Sequence, residues 1–218
     1  MFGLTFIQIL CLVVYLILIG VVAKHTYFDF AQRLQHKTAQ HLLFGSAAGL
    51  FFLWMFRTGI YPGLNVHFLW LTASLLLLGF RLSLLASAFA LLGITIIGSE
   101  EWQMLGVNGL VGVVIPLAFS YLIYTLTFHR LPKHLFVYIF VTGFFAGAAS
   151  IALKMGLLGS YFALEGIHNW DVVEDNYLVL IPLLLFPEGM LNGMTMTLLV
   201  IYCPHWVYTY QDKYYLDK

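Results

Sequence analysis

The stretch Gly3–Val22 has the sequence GLTFIQILCLVVYLILIGVV and contains no charged residue. As a helix it would be about 30 Å long, which is the thickness of the hydrocarbon core of a lipid bilayer. It has neither the basic start nor the small-residue cleavage site of a secretory signal peptide. We therefore expect a membrane-spanning helix that is kept in the mature protein.

Comparable apolar stretches recur along the whole chain of 218 residues, of which 61% are hydrophobic and only 9% charged. A soluble domain has about 25% charged residues, so this composition excludes one. The stretches are apolar on every face, whereas membrane-spanning strands alternate. The expected fold is one all-α domain, residues 1–218, with about seven transmembrane helices. The predicted spans are about 3–23, 41–57, 64–80, 83–98, 106–128, 134–155 and 177–202.

The orientation follows from the basic residues, which are enriched in cytoplasmic loops. Residues 24–40 form the basic segment after the first span, so we assign them to the cytoplasm, with the amino terminus outside and the carboxyl terminus, residues 203–218, as a cytoplasmic tail. Only Arg57 and Lys154 then lie outside among the ten basic residues. The predicted external loop 156–176 is acidic. A negative outer face attracts cations, although acidic residues that simply avoid the cytoplasmic side explain it equally well.

Three pairs of glycines are spaced four residues apart within the predicted spans. This spacing lets two helix backbones approach closely in lipid, and it predicts a compact bundle rather than a particular function. The pairs are Gly45 with Gly49, Gly143 with Gly147, and Gly189 with Gly193.

Motifs for nucleotide hydrolysis and for common enzyme chemistries do not occur in the sequence. There is no phosphate-binding loop, zinc-protease motif, nucleophile elbow or dinucleotide fingerprint. We therefore expect that the chain is not an enzyme and that any ATP hydrolysis belongs to a partner.

Candidate functional residues lie at the predicted outer ends of the spans. The turn after span two contains a Pro-Gly pair and ends at His67, whose imidazole could bind a transition metal or only form a hydrogen bond. The glycine-rich start of span five contains Asn108, which could form a wall of an external pocket near His67 or only allow close packing. His168, in the loop 156–176, is the other histidine on this side.

The last span places Glu188 near the middle of the membrane. A carboxylate there is costly, so it should face the bundle interior and be protonated or partnered, with Asn192 one turn further as a natural partner. The pair could line a substrate path or clamp helices together. Met190 and Met194 could bind a soft metal ion or simply fill space.

Three elements follow one another along the chain: the Pro-Gly turn ending at His67, the Gly-Val-Asn-Gly start of span five at Asn108, and Glu188-Gly189 of the last span. In this order they resemble the substrate-specific membrane component of cobalt and nickel energy-coupling-factor transporters. The chain is most similar to a divergent bacterial branch of that family. The resemblance covers about residues 1–203. It implies a multi-pass protein of the bacterial inner (plasma) membrane that transports a metal cation, cobalt or nickel first, and holds no permanent cofactor. It implies contacts with membrane lipid, a transmembrane coupling subunit and ATPase subunits, and none with nucleic acid.

In that family a Met-His amino terminus and a later histidine surround the metal. His67 matches the later histidine, and Met1 would supply the terminal amine, but the second residue here is Phe2. His168, the outer acidic residues or the methionines could replace the missing ligand, with a different metal preference. The leading hypothesis is a metal-capturing permease; the alternative is an accessory or assembly subunit of a larger membrane complex with no solute of its own.

Overall fold

The computed structural model describes the backbone of residues 4–33 and 37–215 and the side chains of residues 4–26 and 38–215. Within these residues the chain is helical and contains no strand, apart from an isolated bridge between Thr58 and Val66. The expectation of an all-α protein is confirmed for this part of the chain.

The helices follow one another with short connections. They are α1 (Phe6–Arg33), α2 (Lys37–Met55), α3 (Leu71–Leu78), α4 (Phe80–Ile96), α5 (Trp102–Arg130), α6 (Leu135–Leu164), α7 (Trp170–Asn176), α8 (Ile181–Tyr202) and α9 (Asp212–Tyr215). Helices α5 and α6 contain π-helical segments, at Leu110–Val114 and Tyr138–Phe145. Such segments often lie near functional sites, because they shift the side chains that follow them.

Four helical segments of the described chain are long and apolar enough to cross a membrane: Phe6–Thr26, Trp102–Arg130, Leu135–Leu164 and Trp170–Tyr202. Helix α4 is apolar but shorter. The chain is therefore a multi-pass membrane protein. The count of seven spans and the orientation of the termini stay predictions.

The predicted span 64–80 differs from the structure. Only Leu71–Leu78 is helical, about 12 Å long, and all of its side chains are buried. The leucine-rich run is apolar because protein surrounds it, whereas a lipid-facing span would expose one side. This stretch is therefore not a continuous helix of membrane-spanning length, and α3 is an internal half-helix that continues from the preceding loop.

Two predicted loops also contain more helix than expected. Helix α1 continues to Arg33 and α2 begins at Lys37, so most of the segment 24–40 is helical. Helix α6 continues to Leu164 and α7 begins at Trp170, so much of the predicted loop 156–176 is helical too. A helix can continue beyond the membrane, so the assignment of these two segments to loops outside it stays a prediction.

Helix α3 runs from the interior to one end of the bundle, which we call the tail end. There the segment after α8 covers its last carbonyls: Tyr208 N donates to Leu77 O at 3.0 Å, and Thr209 N donates to Leu76 O at 3.2 Å. Gly79 has a φ of 80°, which turns the chain between α3 and α4. The opposite end, which carries the loop 57–70 before α3, is called the cavity end.

The α6–α8 interface confirms two of the three glycine pairs. A Cβ added to Gly147 would lie 2.8 Å from Asn192 Nδ2, and one added to Gly143 would lie 3.5 Å from the Cα of Gly193. A Cβ on Gly189 would lie 3.0 Å from a carbonyl oxygen of α6. Glycine therefore allows these two backbones to meet.

The third pair does not join two helices. A Cβ added to Gly45 would meet no described atom within 4 Å, while one on Gly49 would lie 3.1 Å from the ring of Trp70. The prediction for this pair is therefore wrong: Gly49 makes room for a side chain, and Gly45 packs against nothing in the described chain.

Candidate functional site

The loop 57–70 at the cavity end is held in a fixed shape. Thr58 N donates to Val66 O at 3.1 Å, and Val66 N donates to Thr58 O at 2.8 Å, which closes the loop on itself. Gly63 has a φ of 83°, and a Cβ there would lie 2.7 Å from the ring of Phe162. Only glycine satisfies both conditions. The loop then passes into the bundle with His67 on its inner arm.

The end of this loop is fastened by a group that we call the clamp, formed by Glu188 and Asn192 of α8 with the backbone before and at the start of α3. Glu188 Oε2 accepts from Leu69 N at 2.9 Å, and Oε1 accepts from Trp70 N at 2.8 Å. Asn192 Nδ2 donates to Glu188 Oε1 at 2.7 Å, while Asn192 Oδ1 accepts from Ala73 N at 2.8 Å. Glu188 and Asn192 are fully buried. Both carboxylate oxygens face donors, as suits the ionised form at a helix amino terminus.

The backbone of Trp70 has a φ of 53°, the one positive value outside glycine in the described chain. Such a conformation is costly for a bulky residue and persists only where the surroundings fix it. Its amide binds Glu188, and its ring nitrogen donates to Thr195 Oγ1 at 3.0 Å. The clamp therefore imposes the sharp turn by which the loop enters α3.

His67 contacts Lys154 of α6. The distance between His67 Nε2 and Lys154 Nζ is 2.7 Å, and His67 Nδ1 lies 3.0 Å from Phe68 O. A carbonyl oxygen can only accept and an ammonium can only donate. The geometry therefore fits a neutral imidazole that donates from Nδ1 and accepts at Nε2.

Lys154 is the residue that the sequence interpretation missed. It was assigned to the outer surface at the end of span six, but it lies within α6 with only 6% of its surface exposed. The sequence does indicate that Lys154 lies within a helix, because the apolar residues continue beyond Lys154 to Leu164. A lone charge inside an apolar helix usually points into the protein interior.

A second charged group lies next to His67. Arg57 forms an ion pair with Glu100, and their side chains are 11% and 17% exposed. Arg57 also donates to the carbonyls of Trp54 at 2.9 Å and Ser99 at 3.2 Å. Asn108 Nδ2 donates to Glu100 Oε2 at 2.9 Å. These contacts hold the end of α2, the α4–α5 connection and α5 together beside His67.

These groups border a partly open cavity of about 20 Å³, which is enough for a water molecule or a single ion. It is lined by Trp54, Arg57, Gly63, Asn65, His67, Leu91, Glu100, Asn108, Gly112, Val113, Lys154 and Leu158. His67 and Asn108 therefore share one cavity. The cavity is polar on the loop side, and leucine and valine side chains close the side toward the bundle.

The other predicted site residues lie elsewhere. His168 is half-buried, with Nε2 2.9 Å from Pro62 O, and it supports the outside of the loop without lining the cavity. Met190 and Met194 are 38% and 55% exposed on the outer side of α8, away from the clamp. Met1 lies outside the described residues.

The described residues contain no group of three or more His, Cys, Asp or Glu side chains that could hold a metal ion. Around the cavity they offer His67 Nε2, the carboxylate of Glu100 and the amide oxygen of Asn108. A nitrogen donor with oxygen donors suits a borderline transition metal. In the structure Nε2 contacts Lys154, and the two oxygens of Glu100 accept from Arg57 and Asn108, so a bound cation would replace these contacts.

Comparison with known proteins identifies a family. A family model described as the cobalt uptake substrate-specific transmembrane region matches residues 5–206, which is most of the chain. No curated protein and no solved structure matches significantly. The match includes the loop 57–70, the clamp and Lys154, so all of the site lies within the family region.

Proposed function

Because the chain belongs to the family of cobalt uptake substrate-specific transmembrane regions, we propose that it captures a transition-metal cation as the membrane component of an energy-coupling-factor importer. Cobalt and nickel are the first candidates. The observation that carries the proposal is that His67, on a loop held by a buried clamp, borders an ion-sized cavity. The function is transport, and we propose no catalysed reaction.

The charges of the two ends support the direction of capture. The cavity end carries Glu100 and Glu101 and, near α7, Glu165, Asp171, Glu174 and Asp175. The tail end carries Arg130 and Lys133 after α5. We propose that the acidic cavity end faces outward from the bacterial inner membrane and raises the local concentration of cations. The basic tail end then faces the cytoplasm.

We propose that the partners are a transmembrane coupling subunit and ATPase subunits that contact the tail end. The chain itself has no phosphate-binding loop, so the energy for release must come from another subunit. The tail after α8 packs against the end of α3, and α3 leads to the cavity. A partner that moves the tail would therefore act on the loop that carries His67.

Metal binding tests the capture step. The full chain, purified in mild detergent, is incubated with Co²⁺ or Ni²⁺ and its bound metal is measured by mass spectrometry. The wild type and His168→Ala should retain metal, and His67→Ala should lose it, because His67 supplies the imidazole nitrogen among the described residues that line the cavity. Equal metal content in wild type and His67→Ala would refute His67 as the binding residue.

Uptake and co-purification test the rest of the proposal. Cells that produce the chain should accumulate cobalt or nickel and lose this on His67→Ala. The chain should co-purify with ATPase subunits. Stable co-purification with a different membrane complex, without an uptake defect, would instead favour the accessory-subunit alternative.

A further inference from the structure

The ammonium of Lys154 lies where a metal ion bound to His67 would have to lie. An imidazole nitrogen has a single lone pair, and at Nε2 it points to Lys154 Nζ at 2.7 Å. A transition metal binds such a nitrogen at about 2.0–2.1 Å along the same direction. The present position of Lys154 and a metal ion at Nε2 therefore exclude each other.

The positive charge of Lys154 opposes the cation as well. The charge of Arg57 is paired with Glu100, whereas no carboxylate of the described chain lies within ion-pair distance of Lys154. The side chain is 6% exposed, so water screens it weakly.

The side chain of Lys154 passes beside a glycine of α5. Gly112 faces the side chain of Lys154, and a Cβ added to this glycine would meet Lys154 Cε at 3.9 Å, which is an ordinary contact distance. The lysine side chain has four rotatable bonds, and its hydrogen-bond acceptor within the described chain is one nitrogen of His67. Rotation about these bonds is the movement that would take the ammonium away from Nε2.

We propose that Lys154 sets the metal affinity of this chain by competing with the incoming cation for Nε2 of His67. The inference rests on the proposed function and adds a specific residue to it. An ion that binds imidazole weakly does not displace the ammonium, whereas a late first-row ion does. When the metal leaves, the ammonium returns to Nε2 and favours release.

The test measures Co²⁺ and Ni²⁺ affinity by titration calorimetry on the purified full chain in three forms. Lys154→Met removes the charge and keeps the volume, and Lys154→Arg keeps the charge. Lys154→Met should bind the metal more tightly by about tenfold or more, equivalent to about 1.4 kcal/mol. Lys154→Arg should bind no more tightly than the wild type.

The outcomes separate this inference from the proposed function. If the wild type binds metal and Lys154→Met binds it equally or more weakly, the competition is wrong while metal capture stands. If neither form binds metal, the proposed function is wrong, and this inference with it. Lys154→Leu is a second neutral variant that, unlike methionine, adds no atom able to bind the metal, so it must bind the metal more tightly as well. Thermal unfolding verifies that each form is folded before titration.

Discussion

The clamp and the cavity fasten two ends of the same short segment, His67 to Trp70, but in different ways. In the clamp, the carboxylate of Glu188 receives three hydrogen bonds and is fully buried. In the cavity, His67 is half-buried and Lys154 has a single acceptor within the described chain. A fully satisfied group cannot change partners without a large loss, whereas an incompletely satisfied pair can. The clamp therefore positions the site, and the proposed replacement of Lys154 by a metal ion at His67 would take place in the cavity.

The clamp should show the largest effect on stability. Glu188→Ala leaves the two backbone amides of Leu69 and Trp70 without an acceptor in the interior, while Asn192 Nδ2 keeps its hydrogen bond to the backbone carbonyl of residue 188 at 2.8 Å. We expect a loss of about 3–5 kcal/mol in the free energy of unfolding. Thermal unfolding in detergent measures it, with the exposed Glu101→Ala as the matched control. Equal melting temperatures for the two variants would show that the clamp does not hold the fold.

A smaller effect on stability should follow when a methyl group is added next to Asn192 of the clamp. Gly147→Ala places a methyl group 2.8 Å from Asn192 Nδ2, so that Asn192 or α6 must shift. We expect a loss of about 1–3 kcal/mol. Gly45→Ala is the control, because its methyl group meets no described atom within 4 Å, and it should be neutral or slightly stabilising. Equal effects of the two substitutions would contradict the close α6–α8 contact.

These two glycines also show what the sequence could predict. The spacing of small residues identified Gly143, Gly147, Gly189 and Gly193 as contact positions, because close backbone packing requires them. The same spacing failed for Gly45, since spacing alone does not say which face of a helix meets another helix. Periodicity predicts that a helix packs, and only the tertiary fold decides which side it uses.

For the site, the sequence predicted side chains but not their partners. His67 and Asn108 were proposed for one outer pocket and do line one cavity, and Asn192 was proposed as a partner of Glu188 and does bind it. The link between Glu188 and the loop before α3 crosses more than a hundred residues. No local pattern encodes such a contact. The prediction of a span at 64–80 gave no indication of this contact, because a buried half-helix and a lipid-facing helix have the same apolar composition.

The cavity should tolerate substitution better than the clamp. His67→Ala removes the acceptor of Lys154, but the cavity beside it can admit a water molecule in its place. We expect a loss of about 1–2 kcal/mol in unfolding free energy, together with the loss of metal binding. A stability loss as large as that of Glu188→Ala, in the same thermal assay, would mean that His67 is structural.

The smallest effect among the residues of the clamp and the cavity is expected for Lys154→Met, and it should not be a loss of stability. A buried ammonium with one hydrogen bond is poorly compensated for the water that it has lost, and a methionine of similar length fills the same space in α6. The free energy of unfolding should be unchanged or rise by about 1 kcal/mol, in contrast to the loss for Glu188→Ala. Thermal unfolding of Lys154→Met beside Lys213→Met, on the exposed α9, gives the measurement. A loss above about 2 kcal/mol for Lys154→Met alone would show that the lysine supports the fold as the clamp does, and the two regions would then no longer differ in kind.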